Sequence, residues 1–210
     1  MAGKKPGQTR ASEGRTISFE DSSLVERVRK GDMQAFGSLV AKYQDRIYNM
    51  ILRMCGRAAD AEELTQDTFL RALERIGQFT GRSEFYTWLF RVAANLTISH
   101  KRRSMRIRFQ TLDPDEARSG TQADSLTAAV AAQRDPPPQA AAMASETRQR
   151  VLEALEALDD EFRLVVVLCD VEQMDYAQAA DVIGVPVGTV KSRLHRARWA
   201  LKEKLADLVA

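Results

Sequence analysis

The sequence has little of what several protein classes need. Among 210 residues there are two cysteines and 11 glycines, and the longest purely apolar run is the six residues 164–169. A membrane span needs roughly 18 such residues, so none is predicted. The first 20 residues are basic and polar without a hydrophobic stretch, so no secretory signal is predicted. Few glycines disfavour a strand-rich fold, whereas abundant Ala, Leu, Glu and Arg favour helix. We therefore expect an all-α fold.

Cysteine and histidine are too sparse to suggest a redox or metal centre. Cys55 and Cys169 each lie in an apolar helical pattern, which indicates reduced core thiols in a cytoplasmic protein, with a disulfide or a metal site as the alternatives. His100 and His195 are the only histidines, and both lie among basic residues without further metal ligands. With no phosphate loop and no nucleophile motif either, we predict a non-enzyme without cofactor.

The net charge of +2 hides an uneven distribution. Residues 81–108 carry seven Lys or Arg against one acid, and residues 176–210 carry six against three. Between them, residues 146–175 carry nine acids against three bases. Two basic blocks, each at the end of a helical segment, predict nucleic-acid binding. The alternative is that both are ordinary solvated helix faces.

Composition divides the chain into four parts. Residues 1–21 are predicted to be a disordered basic tail, and residues 22–108 a helical domain, because their apolar residues recur every three or four positions. Residues 109–145 contain Asp113-Pro114-Asp115 and three consecutive prolines, which indicates a flexible linker. As a free coil its 37 residues would span roughly 35 Å. Residues 146–210 form the second small helical domain.

The second domain ends in a predicted helix-turn-helix. Asp175 caps a helix over residues 176–183, Gly184 ends it, and a longer helix begins near Val187. On a helical projection the longer helix has an apolar side and an opposite polar side, flanked by Lys191, Arg193 and Arg198. The apolar side comprises Val187, Val190, Leu194, Ala197, Leu201, Leu205 and Leu208, and the polar side comprises Gly188, Ser192, His195, Arg196 and Trp199. The Arg196 side chain is suited to hydrogen-bond guanine, and the flanking Lys191, Arg193 and Arg198 are suited to contact phosphates.

The first domain ends in a helix that combines aromatic and basic residues. Its apolar stripe, which is predicted to be core, comprises Phe85, Trp88, Leu89, Val92 and Leu96. Tyr86, Arg91 and Asn95 lie off the centre of this stripe and, with the loop 79–83, are able to form a pocket for an unstacked base. The basic run 101–108 would then follow phosphates. A solvated helix end explains those charges equally well.

Three stretches together resemble the extracytoplasmic-function (ECF) sigma factors, the promoter-recognition subunits of bacterial RNA polymerase. They are Asp-Ala-Glu-Glu-Leu-Thr-Gln-Asp-Thr-Phe at 60–69, Phe-Tyr-Thr-Trp-Leu-Phe-Arg at 85–91, and Val-Pro-Val-Gly-Thr-Val-Lys-Ser-Arg-Leu-His-Arg-Ala-Arg at 185–198. The third stretch alone would also fit other helix-turn-helix regulators. The resemblance covers about residues 22–108 and 146–208.

The resemblance implies two DNA-reading domains and a polymerase-binding face. The first domain would open the −10 promoter element, through Phe79, Arg82, Ser83, Tyr86, Arg91, Val92, Asn95, Lys101, Arg102 and Arg103. The second would bind the −35 element, through Gly188, Thr189, Lys191, Ser192, Arg193, His195, Arg196 and Arg198. The core-polymerase-binding positions are Glu63, Gln66, Asp67 and Leu70, which cluster on one helix face opposite Ala61, Thr68 and Ala72.

The implied partners are the polymerase core, through its largest-subunit clamp coiled coil and its beta flap, promoter DNA, and an anti-sigma factor. In the family the linker threads toward the polymerase active site. One departure is visible: the family often has an acid four positions after Asn95, where this chain has Ser99, which bears on promoter preference. The rival interpretation is a helix-turn-helix regulator that binds duplex without being a polymerase subunit. It leaves the aromatic-basic loop and the Gln66-Asp67 face without a function.

Overall fold

The predicted all-α fold class is confirmed. The computed structural model describes residues 10–110, 147 and 149–206, and within these ranges the regular secondary structure is helical throughout. The helices are α1 Arg10–Arg29, α2 Met33–Cys55, α3 Ala58–Arg75, α4 Phe85–Gln110, α5 149–156, α6 Asp160–Val166, α7 Tyr176–Ile183 and α8 Val187–Lys204. A 3₁₀ turn, Ile76–Gln78, follows α3, and a π-helical segment, Val167–Val171, follows α6. No helix in the described ranges is long and apolar enough to cross a membrane.

Helices α1–α4, the first unit, pack around α2. Leu39, Tyr43, Ile47 and Ile51 follow the helical repeat along α2 and are at most 2% exposed. The carboxylate of Asp32 caps the start of α2 by accepting hydrogen bonds from the backbone N–H groups of residues 34 and 35, at 3.0 and 3.1 Å. These contacts fix α2 as the platform against which α3 and α4 are positioned.

Helix α1 begins within the predicted tail of residues 1–21. The structure continues α1 back to Arg10, and residues 1–9 lie outside the described part of the chain. Composition made residues 10–21 look too polar to order by themselves. Asp21, Val25 and Val28 are buried against the rest of the first unit, however, and a nucleated helix extends at little further cost.

Helices α5–α8, the second unit, contain the predicted helix-turn-helix. Asp175 accepts hydrogen bonds from the backbone N–H groups of residues 177 and 178, both at 2.8 Å, and the Gln178 side chain bonds back to complete a capping box. Gly184 ends α7 in the left-handed conformation with φ of 77°, which favours glycine. Helix α8 then starts at Val187, as the sequence predicts.

The two units are packed against each other. Their buried apolar side chains form one connected cluster, and α7 lies against α4. Residues 109 and 110 of the predicted linker belong to the end of α4, whereas residues 111–145 lie outside the described part of the chain. The sequence predicts two domains that a long linker can separate, and the structure shows the arrangement in which they touch.

Candidate nucleic-acid interface

The polar face of α8 is open to solvent. Ser192, His195 and Arg196 are exposed, whereas Val190, Leu194 and Ala197 are at most 2% exposed on the opposite side. Gly188, near the start of the helix, has no atom within 4 Å of the position that a Cβ would occupy. This is the division predicted by the projection, apart from Val187, which is 39% exposed at the first turn, and Leu208, which lies outside the described residues.

The basic residues beside this face are held by neighbours in the same unit. Arg198 Nε donates to Asp170 at 3.1 Å, and this hydrogen bond raises the pKa of Arg198. Arg193 forms an ion pair with Glu161 at 2.6 Å, and Lys191 lies 5.7 Å from the ring centre of Tyr176. These contacts hold positive charge at the rim of the exposed face, where phosphate contacts position a recognition helix.

Thr189 lies in the first turn of α8 and is half-buried. Its carbonyl accepts a hydrogen bond from the Ser192 hydroxyl at 3.0 Å. The Ser192 hydroxyl, in turn, keeps its acceptor capacity toward the solvent side, since a hydroxyl donates once and accepts twice.

A second exposed face lies on α3. Glu63, Gln66 and Leu70 are exposed, with Leu70 at 60%, and Asp67 is half-buried. The opposite side of α3, at Ala61, Thr68 and Ala72, is fully buried. The four predicted residues therefore lie on the side of α3 that faces away from the core.

A groove between α3 and α4 is lined by some of the predicted −10 residues. It is lined from α4 by Arg91, Val92, Asn95 and Arg103, and on the α3 side Glu63 and Asp67 form its edge. Arg71 and Arg75, one helical turn apart on α3, also line it, and the sequence analysis missed both. Their spacing of four placed them on one face, but only the packing of α3 on α4 shows that this face meets Asn95.

Other members of the predicted −10 set lie outside this groove. Phe79 is 7% exposed, and its ring packs on Phe85 and Trp88 with centroid separations of 5.8 and 5.5 Å. Tyr86 is 9% exposed, because its hydroxyl faces Arg46 and Glu172. In this arrangement neither ring is open to a base.

The basic residues of the predicted −10 set also differ in their exposure. Lys101 Nζ donates to the carbonyl of Met54 at 3.0 Å and pairs with Asp160. Arg102 and Arg103 are exposed on α4, and Arg82 and Ser83 lie in the loop before it. The DNA roles of all these residues stay predictions.

Neither cysteine forms a disulfide, and the described residues contain no group of side chains able to hold a metal ion. Both thiols are half-buried. Burial raises the pKa of Cys55, and burial together with the charge of Asp170 raises that of Cys169 to about 11. The thiols are therefore protonated at neutral pH.

Comparison with known proteins agrees with this geometry. Residues 39–107 match the sigma-70 region 2 family, and residues 148–201 match sigma-70, region 4. The chain is 34% identical over 184 residues to the ECF RNA polymerase sigma factor SigW of Bacillus subtilis, covering 88% of this chain and 96% of that protein. It is 35% identical over 190 residues to the RNA polymerase sigma-H factor of Pseudomonas aeruginosa, covering 90% and 96%.

A solved structure shows the same fold. It is that of CnrH in complex with the cytosolic domain of CnrY, which aligns with a TM-score of 0.63 and 26% identity over 90% of this chain and 98% of that one. The sigma factor RpoE of Bartonella quintana, in complex with the anti-sigma factor NepR, aligns with a TM-score of 0.61 and 22% identity, covering 81% and 96%. The two matched family regions and the relatives matched over nearly their whole length lead to one conclusion: this chain belongs to the ECF sigma factors of bacterial RNA polymerase.

Proposed function

We propose that this alternative sigma factor directs RNA polymerase to promoters by reading two DNA elements with its two units. Residues 22–108 would recognise the −10 element and bind core polymerase, and residues 146–210 would recognise the −35 element. The observation that carries the proposal is α8, whose apolar side is buried in the helix-turn-helix while Ser192, His195 and Arg196 face solvent. Such a helix is ready to enter the major groove of duplex DNA.

Base recognition in the second unit would come from the centre of α8. An arginine able to bond guanine through two donors is worth about 1–3 kcal/mol of discrimination, and Arg196, exposed on α8, would take this role. Lys191, Arg193 and Arg198 would contact phosphates on either side. Phosphate contacts supply most of the affinity and make it sensitive to salt.

The first unit would capture unpaired bases in the α3–α4 groove. The Asn95 amide would hydrogen-bond the edge of a base, and Val92 would form an apolar wall beside it. The arginines of the groove would provide positive charge for the phosphates of the DNA backbone. Unstacking a base costs a few kcal/mol by order of magnitude, and binding of the released strand offsets this cost. Opening therefore needs no bond-breaking chemistry in this chain, and the proposed role is binding without turnover.

The α3 face is the proposed contact with polymerase core. Glu63, Gln66, Asp67 and Leu70 would bind the clamp coiled coil of the largest subunit, and the second unit would contact the beta flap. An anti-sigma factor is a further proposed partner, since the structural neighbour from Bartonella quintana is a complex with one. Because this proposed role requires RNA polymerase and chromosomal DNA, the proposed site of action is the cytoplasm.

Transcription in vitro with core polymerase and a promoter library tests the proposal. Arg196→Ala should lower initiation at the selected promoter by roughly 5- to 150-fold, the equivalent of 1–3 kcal/mol. Lys202→Ala removes an exposed basic side chain from the last turn of the same helix. It should leave initiation within about twofold, because an exposed charge away from the DNA bases contributes little binding free energy. Initiation by Arg196→Ala at the wild-type level would show that α8 does not read this promoter.

Co-purification with core polymerase tests the α3 face and separates the rival function. Replacing Gln66 and Asp67 with alanine should weaken holoenzyme assembly, while Gln44→Ala, an exposed change on α2, should not. Unchanged assembly in the double variant would remove the α3 face from the interface. A wild-type chain that binds duplex DNA but never retains core would favour the helix-turn-helix regulator.

A further inference from the structure

Trp199, in the fourth turn of α8, is the most exposed aromatic side chain that the structure describes, at 59%. Tyr176, at 40%, is the other exposed aromatic residue in the described ranges, and it too belongs to the helix-turn-helix. The Lys191 ammonium lies beside the Tyr176 ring. The Trp199 indole, by contrast, has no hydrogen-bond or ring partner among the described residues. An indole has a broad apolar surface and one N–H donor, so both are available to a partner.

Trp199 lies on the polar face of α8, together with Ser192 and His195. An α-helix turns by about 100° per residue, so Trp199 is about 20° from Ser192 and about 40° from His195 around the helix axis. All three side chains are exposed, whereas Leu194 is buried. With a rise of about 1.5 Å per residue, Trp199 lies roughly 16 Å beyond Gly188 along the axis. It therefore continues the face that the proposed function directs toward DNA.

The charges around Trp199 favour an anionic partner. Arg196 and Arg198 are both exposed beside it, and the Arg198 side chain remains 55% exposed although it forms an ion pair. Lys202 and Glu203, one turn further along, are exposed and offset each other in charge. An apolar protein surface would cover the two arginines without supplying a counter-charge, which is costly. The DNA backbone instead offers apolar sugar faces together with phosphate acceptors.

The position along the helix indicates which part of the DNA Trp199 meets. A recognition helix enters the major groove with its N-terminal residues at the base edges. Because this groove is about 12 Å wide, a side chain roughly 16 Å along the helix reaches its sugar–phosphate wall. We propose that Trp199 is a further DNA-binding residue at the edge of the −35 element: its indole packs on a deoxyribose, and its Nε1–H donates a hydrogen bond to a phosphate. The proposal rests on the proposed function of α8.

This contact makes Trp199 a positioning residue, which fixes α8 in the groove without reading sequence. It also differs in charge from the phosphate contacts proposed for Lys191, Arg193 and Arg198. A cation that binds a phosphate releases a counterion, so the affinity it supplies falls as the salt concentration rises. A neutral N–H donor releases none. The affinity that Trp199 supplies should therefore depend little on salt.

Fluorescence anisotropy of promoter binding by holoenzyme, reconstituted from core polymerase and the full chain, tests the contact. The probes are two labelled duplexes, the promoter selected in the transcription assay and the same promoter with its −35 base pairs replaced. Trp199→Ala should weaken binding to both duplexes about tenfold and leave the slope of log affinity against log salt unchanged. Trp199→Phe keeps an aromatic ring and loses the N–H donor, so it should weaken binding about threefold.

Three matched variants define what this result means. Arg196→Ala should weaken binding to the selected promoter far more than to the altered duplex, because Arg196 is proposed to read bases. Lys191→Ala should reduce the salt slope by about one. Met33→Ala removes an apolar side chain that is 57% exposed on α2, and it should leave binding within about twofold. The melting temperature of Trp199→Ala should stay within about 2 °C of the wild type, since the side chain is exposed.

A photoreactive benzophenone amino acid at position 199 identifies the partner directly. In the holoenzyme–promoter complex it should cross-link to DNA beside the −35 element. A cross-link to a polymerase subunit alone would overturn the proposal, because the side chain would then face protein.

Two binding results would also overturn it. Trp199→Ala could bind both duplexes within twofold of the wild type, which would show no contact, or lose affinity for the selected promoter alone, which would show base reading. If Arg196→Ala weakens binding as expected while Trp199→Ala does not, Trp199 alone is wrongly assigned. If neither variant weakens binding, the proposed function of α8 fails together with this inference.

Discussion

Arg163 makes the most demanding prediction about the second unit. Its guanidinium is buried, with the residue 6% exposed, and burial lowers its pKa. Within its own unit it donates to the carbonyls of Leu155 at 2.9 Å and Leu158 at 3.0 Å, and also to that of Glu156. These carbonyls lie where α5 ends, so α5 depends on a side chain from α6 to satisfy its last turn.

Replacing Arg163 with methionine keeps the apolar stem and removes the donors. The carbonyls of Glu156 and Leu158 lose the Arg163 donor, whereas Leu155 keeps the backbone N–H of Leu158 at 3.1 Å and Met54 keeps Lys101. At about 1–1.5 kcal/mol for each of these two orphaned acceptors, the free energy of unfolding should fall by about 2–3 kcal/mol. Urea unfolding followed by far-ultraviolet circular dichroism measures this loss, and the midpoint should shift without a large change in the m-value.

Arg57→Met is the matched control, because Arg57 is 62% exposed and pairs with Asp60 only at the surface, at 3.6 Å. It should cost less than about 1 kcal/mol. Arg163→Lys should recover part of the loss, since lysine is charged but lacks the planar fork. If Arg163→Met costs no more than Arg57→Met, the guanidinium is not what terminates α5.

Three further predictions concern a cap, a thiol and the core. Asp175→Ala should remove the capping box of α7 and lower the melting temperature by roughly 2–4 °C, for a cost of about 1 kcal/mol, while Asp175→Ser should retain most of it. Cys169, whose pKa is raised to about 11, should react with iodoacetamide at pH 8 roughly a hundredfold more slowly than in urea, and the rate should rise about tenfold per pH unit. The protonated thiol contributes to the free energy of unfolding, and this contribution is fully present below the unfolded pKa near 9 and is lost as the pH rises toward 11. Fast alkylation of Cys169 at pH 8 would contradict the raised pKa. Leu39→Ala should cost about 2–5 kcal/mol in urea unfolding, because Leu39 is fully buried, while Met33→Ala, 57% exposed, should stay within about 0.5 kcal/mol.

Local patterns predicted the second unit well. Asp175 and Gly184 mark helix ends through backbone chemistry that acts within four residues, so sequence alone located α7 and the start of α8. The helical period likewise separated the buried Leu194 from the exposed Arg196. Both properties depend on neighbours along the chain.

Long-range packing was beyond the same reasoning. Tyr86 lies off the apolar stripe of α4 and was therefore predicted to be accessible, but it is buried by Arg46 and Glu172, 40 residues before it and 86 after it. Phe79 is predicted in a base pocket, and in this arrangement its ring packs on Trp88 in an aromatic cluster. Helical periodicity states which side of a helix is apolar, and it carries no information on which partner covers the other sides.

The acidic stretch in the middle of the chain, residues 146–175, contributes carboxylates to the contact between the two units. By composition alone it separates two basic blocks. In the structure, Asp160 and Glu172 from that stretch, together with Asp181 on α7, pair with Lys101, Arg46 and Arg91 of the first unit. In each of these pairs the acid comes from the second unit and the base from the first. The near-neutral net charge is thus partly a complementarity between two surfaces. Two of these basic residues, Arg91 and Lys101, are also predicted to contact the −10 DNA, whose phosphates would compete with the carboxylates. A duplex that has begun to open would offer Arg91 and Lys101 denser negative charge than the carboxylates of Asp181 and Asp160 do, so strand capture and loss of these two ion pairs should favour each other.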